Sequence, residues 1–136
     1  DRVVEVAASV AEAGAEAVTL VNTLLGMVID PDRAAPVLGS GPAGGGLSGP
    51  AIHPVAVRTV FDVHAALPGL PIVGVGGIVD ARGAVEMIMS GADAVQAGTA
   101  SFAEPRTADM VRTGLEHWCS THGVRAVAEL KGCAHG

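Results

Sequence analysis

The chain has 136 residues, a net charge of −6, 49% hydrophobic residues, 19 glycines, two cysteines and no tyrosine. That length and apolar content suit one domain with an ordinary core. The negative charge argues against nucleic acid or an anionic membrane as a partner, and glycine, proline or charge interrupts every apolar run before it reaches membrane-spanning length.

Residues 2–13 follow helical spacing, with Val3, Ala7 and Val10 on one face and Gly14 as the stop. The chain starts at Asp1, without methionine, and runs at once into this pattern, which suggests a piece of a longer protein. Residues 17–21, AVTLV, read as a strand ending at Asn22-Thr23. Residues 24–50 read as a long loop, with Pro31, Pro36, Pro42, Pro50 and the run Gly44-Gly45-Gly46. A loop of that length is usually functional or mobile. Pro54 suits the first turn of a helix that carries Val57, Val60, Phe61 and His64 to about Leu67. His64 on that stripe reads as a packed or edge histidine.

Residues 71–78, PIVGVGGI, read as a buried strand closed by Gly76-Gly77. Asp80 caps the next helix, whose inner face is Val85, Ile88 and Met89 and which Gly91 stops. Met87 and Met89 read as core filler. A third strand, residues 94–97, ends in Gly98-Thr99. Pro105 or Thr107 opens a last helix with Val111, Leu115 and Trp118 on one side. The tail from Gly132 is expected to be loose. Cys119 and Cys133 form no CxxC pair, which speaks for a reducing, cytoplasmic setting. His117, Cys119 and His122 read as exposed helix-end residues, since positions 117 and 119 point to different sides of a helix; no metal site is expected.

Alternating strands and crossover helices imply an α/β fold with a parallel sheet and right-handed connections. Gly14-Ala-Glu-Ala-Val echoes Gly91-Ala-Asp-Ala-Val, a helix stop followed by a strand start. Three strands are too few to close a barrel of eight, so the expected object is the C-terminal part of a (β/α)8 TIM barrel, residues 1–136 forming one partial domain without its N-terminal half. A doubly wound sheet is the alternative. Outer strands without neighbours favour pairing with another copy, so a homo-oligomer is expected.

The conspicuous glycine and polar positions fall at the strands' C-terminal ends, the edge where ligands bind in such folds. Gly76-Gly77 and Gly98-Thr99 leave backbone N–H groups bare, and glycine gives a bulky anion room to approach. Together they point to a phosphate, with the Thr99 hydroxyl as a further donor. Asn22-Thr23 suits a planar ligand with carbonyl, carboxylate or ring N–H groups. Gly44 to Gly49 could lie against a ring or cover the site; a plain solvated loop is the alternative. No cysteine or lysine lies near these ends, and the five histidines fall in or beside helices or in the tail, so no catalytic base is named.

The stretches VNTLLGMVID, GGGLSGPAIHPVAVRTV, PIVGVGGI and GADAVQAGTASFAEP, in that order, resemble the dihydroorotate dehydrogenases, and among them the class 1B catalytic subunits. The likeness runs from about Ala13 to Trp118. It implies a (β/α)8 barrel that binds FMN and oxidises dihydroorotate to orotate in pyrimidine synthesis. Carried over by position, Asn22 and Thr23 match the orotate-binding pair. Val21 matches an isoleucine on the flavin, and Gly49 a glycine near it. Gly76, Gly77, Gly98 and Thr99 match the groups that hold the FMN phosphate. The family's catalytic cysteine and flavin-side lysine match nothing in this chain. Class 1B also implies a partner subunit with FAD and an iron–sulfur cluster, passing electrons to NAD+. Two alternatives stand beside this reading. One is another FMN barrel, such as a dihydropyrimidine dehydrogenase domain. The other is a self-associating half-barrel without redox chemistry.

Overall fold

A computed structural model describes residues 2–38 and 44–136. In chain order these form α1 (Val3–Glu12), β1 (Val18–Leu20), β2 (Leu24–Gly26), β3 (Ile29–Asp30), β4 (Ala35–Pro36), β5 (Gly45–Leu47), a 3-10 turn (Pro50–Ile52), α2 (His53–Ala66), β6 (Ile72–Val75), α3 (Ala81–Met89), β7 (Ala94–Gln96), α4 (Ala100–Ala103) and α5 (Thr107–Thr121). Two further 3-10 turns follow, Val127–Leu130 and Cys133–His135.

The centre is a parallel sheet in the order β1-β6-β7. Val18, Thr19 and Leu20 face Ile72, Val73 and Gly74, and the next three-residue register runs from Val73 to Ala94. The middle strand buries Ile72 and Gly74. A Cβ on Gly74 would lie 2.2 Å from Met87 Cγ, so glycine there lets α3 close on the sheet and sink Met87 completely. Ile72, Met87, Val60 and Val63 are the largest fully buried side chains. They join Ala56, Ala84 and Val111 in one core between the sheet and its helices.

The expected helix boundaries hold. Asp80 accepts the Gly83 N–H at 3.0 Å as the cap of α3, and Pro54 lies in the first turn of α2. The Gly14/Gly91 echo is structural. Ala15 N–H returns to Val10 O and Ala92 N–H to Met87 O, the same closing bond one residue past each glycine.

Four expectations are corrected. The inner face of α1 is Val3, Val4, Ala7 and Ala11, and Val10 is exposed. In α3 the deeper methionine is Met87, with Met89 only partly buried. Cys119 is buried against Ile88 and Leu130, while His117 and His122 are exposed. The span read as loop carries two antiparallel pairs, β2 with β5 and β3 with β4. Strands of two or three residues rich in glycine and proline leave too little periodicity to be seen in advance. Pro42 of that span lies outside the described residues.

The tail is not loose. Gly132 N–H donates to Ile88 O at 3.1 Å. His135 stacks on Phe61 with ring centroids 3.8 Å apart, and its Nε2 donates to Ser90 O at 3.0 Å. Lys131 pairs with Asp93, whose other oxygen accepts the Ile72 N–H. His64 lies beside this latch, its ring 5.0 Å from that of His135 and its Nδ1 buried with no hydrogen-bond partner among the described residues. Single anchors of this kind leave no periodic trace.

Burial, then His135 and Lys131, push His64 below its ordinary value, against a smaller pull from Asp93. Burial alone would raise Asp93. The hydrogen bonds from Lys131 and the Ile72 N–H, with the charges of Lys131 and His64, overcome it and hold the carboxyl low. Both groups therefore bind protons more readily when the latch is undone. Its stability is complete above the ordinary histidine value and falls as pH drops through His64's lowered range, then through that of Asp93. Hydrogen exchange at the Gly132 amide, corrected for its intrinsic rate, should lose protection as pH falls below the ordinary histidine value. His64→Leu should remove most of that pH dependence.

Candidate functional site

At the C-terminal end of the sheet lies a cleft of about 190 Å³. Its walls come from four places in the chain. These are Val21-Asn22-Thr23 after β1, Ser48, Gly49 and Ile52 before α2, Val75 to Val79 after β6, and Gly98-Thr99-Ala100 after β7. All eight residues singled out from the sequence meet here: Val21, Asn22, Thr23, Gly49, Gly76, Gly77, Gly98 and Thr99. A parallel sheet does this by construction for the loops after β1, β6 and β7, and Gly49 reaches the same edge from the segment before α2.

Asn22 is exposed, and its Oδ1 accepts the Thr23 N–H at 2.7 Å. That bond fixes the side chain and leaves its NH2 group available to a ligand. The Thr23 side chain sits directly over Gly46, where a Cβ would fall 2.2 Å from Thr23 Oγ1. Gly45 and Gly46 are therefore held in a strand and are not a free loop. Gly45–Leu47 is the outer strand of a two-stranded flap that rises from Thr23 and returns at Ser48. Thr99 Oγ1 donates to Ser48 Oγ at 2.8 Å and ties the flap's base to the loop after β7. The hydroxyl expected to serve a phosphate already has a partner.

Gly76 and Gly77 have φ of +140° and +67°. Their lack of side chains answers to packing. A Cβ on Gly76 would meet Ala56 Cβ at 2.6 Å, and one on Gly77 would meet Gly49 O at 2.7 Å and His53 Cβ at 2.8 Å. The reading that glycine here makes room for an anion is thus corrected: the room is taken by α2 and Gly49. Gly98 alone fits that reading, because a Cβ there has nothing within 4 Å. What the turns offer is donors. Among the described residues, none accepts from the backbone N–H of Gly77, Gly98 or Thr99.

No described residue lining the cleft carries a titratable side chain. These walls can bind and orient through N–H groups, an amide and apolar surface, and they hold no acid or base. His53 lies just behind them. Its Nδ1 donates to Gly76 O at 2.8 Å, and its Nε2 sits 3.4 Å from Glu86 Oε2 without a hydrogen bond. Sequence reasoning passed over it as a helix-side histidine. Its pairing joins residues 23 positions apart, and local spacing carries no sign of that.

A family model described as dihydroorotate dehydrogenase matches residues 2–119. The catalytic subunit of dihydroorotate dehydrogenase B (NAD(+)) from Trichlorobacter lovleyi is 46% identical over 134 residues, covering 98% of this chain and 43% of that protein. The same subunit from Desulforudis audaxviator is 48% identical over 130 residues, covering 96% and 41%. The chain thus spans less than half the length of these relatives. Among solved structures, DHODH from Eimeria tenella in complex with ferulenol superposes with a TM-score of 0.78 at 23% identity, over 98% of this chain and 35% of that one. That likeness shows the fold, which is part of a (β/α)8 barrel and not a doubly wound sheet. The chain belongs to the dihydroorotate dehydrogenase family.

Proposed function

We propose that these residues form the FMN-phosphate site and part of the substrate wall of an enzyme that oxidises dihydroorotate to orotate in pyrimidine biosynthesis. One observation carries the reading: Gly77, Gly98 and Thr99 line one cleft from two successive βα loops, and their backbone N–H groups have no acceptor among the described residues. A dianion there gains charge-assisted hydrogen bonds, each stronger than a neutral one, and the cleft offers no carboxylate to repel it.

FMN, when bound, supplies the acceptor for the substrate's hydride. The chain's own residues bind and orient. The N–H groups of Gly77, Gly98 and Thr99 hold the phosphate, and the Gly76 turn presents the first of them. Val21 and Gly49 offer apolar contact to the ring system. Asn22, its NH2 group available, and Thr23 hold the planar substrate. The catalytic base comes from outside these residues. Electrons leave to NAD+ through a partner subunit, in keeping with the relatives' name, a catalytic subunit with NAD(+), and the family resemblance gives that subunit FAD and an iron–sulfur cluster. The edges of β1 and β7, unpaired among the described residues, are where the remaining strands of the barrel join in the whole enzyme. Free cysteines at 119 and 133 fit the cytoplasm.

In the enzyme carrying this chain, Asn22→Ala should weaken orotate by about one to two decades and leave flavin in place, the usual effect of losing hydrogen bonds in a water-poor site. Titration with orotate decides it, and an unchanged dissociation constant removes Asn22 from the substrate wall.

Gly98→Val and Gly76→Ala test the phosphate site as a pair. Gly98→Val fills open space beside the donors, so flavin per chain should drop while far-UV circular dichroism stays the same. Gly76→Ala forces a side chain into Ala56 at positive φ, so it should lower stability by about 1–3 kcal/mol in thermal unfolding. Full flavin content in a folded Gly98→Val protein would move the phosphate elsewhere.

A further inference from the structure

His53 does not line the cleft, yet it holds the turn that does. It opens α2 directly after the turn Pro50–Ile52, whose Ile52 N–H donates back to Gly49 O. Its side chain is 14% exposed. A carbonyl oxygen only accepts, so the Nδ1 in contact with Gly76 O carries the proton. On its other side the ring rests near Gly83 of α3, where a Cβ would lie 3.3 Å from Cε1. The imidazole is thus wedged between the start of α2, the face of α3 and the Gly76-Gly77 turn.

The consequence follows from peptide geometry. The Gly76 C=O and the Gly77 N–H belong to one planar, trans unit and point in opposite directions. A donor that draws the carbonyl toward α2 therefore turns the N–H away from α2, toward the cleft. At glycine, with so few steric limits on rotation, the plane would otherwise be free to turn. We propose that His53 is a positioning residue for the anion site: its Nδ1–H bond to Gly76 O orients the Gly77 N–H for the FMN phosphate. The inference rests on the flavin-phosphate reading above and adds to it a residue that touches no ligand.

The test compares dissociation constants of FMN and riboflavin, which lacks the phosphate, in the apoenzyme of the full-length protein carrying this chain. Wild type should prefer FMN. His53→Phe keeps a flat ring without a donor at Nδ1, and should weaken FMN by at least about tenfold while leaving riboflavin unchanged. Should that variant fail to fold, His53→Ala is read in its place. His53→Asn puts an amide N–H close to the Nδ1 position and should restore most of the preference for FMN. Equal weakening of both ligands would mean a general packing role and overturn the inference, as would an unchanged FMN preference in the donor-free variant. A folded Asn variant no better than the Phe variant would overturn it too. A wild type that binds riboflavin as tightly as FMN would remove the flavin-phosphate reading itself, and this inference with it.

Discussion

The close approach of α3 to the middle strand governs this structure. Gly74 has no side chain, so Met87 descends onto the backbone of β6 and is sealed there with Ile72. A β-carbon would separate the layers and open the best-packed part of the core. The same closeness brings α3 alongside the Gly76-Gly77 turn. Gly83 faces the ring of His53, and Glu86 lies beside its outer nitrogen. The packing of the core and the shape of the ligand edge are therefore not independent.

That edge is built in layers. The cleft wall carries backbone amide donors, one side-chain amide, hydroxyls and apolar surface, with no titratable group among the described residues. Behind it, His53 ties α2 to the turn after β6, and within the wall the Thr99–Ser48 bond joins loops that are distant in sequence. Backbone donors suit a phosphate because their dipoles are fixed by the fold and do not change with pH. Their weakness is that each can turn with its peptide plane. The second layer restrains such rotation after β6 through His53.

At the opposite end of the sheet the tail closes the helices through unrelated single contacts: His135 on Phe61, Lys131 with Asp93, and Gly132 on Ile88. Asp93 also accepts from Ile72, which links this latch to the central strand.

The amino-acid sequence by itself determined the order of the three parallel strands and the helices packed around them, the caps at Gly14, Asp80 and Gly91, and the one edge that the glycine and polar turns share. Each of these is local: a period, a capping residue, or a glycine pair at a strand's end. Asn22, Thr23, Gly76, Gly77, Gly98 and Thr99 were legible for the same reason, since a parallel sheet sends every strand end to one side, whereas Val21 and Gly49 were marked out by the family resemblance. Only the tertiary structure decided why Gly76 and Gly77 must be glycine, that the glycine run belongs to a flap, that Cys119 is buried, that the tail is anchored, and that His53 reaches Gly76. These depend on residues far apart in the chain approaching within contact distance, and one-dimensional spacing holds no information about that until the layers have packed.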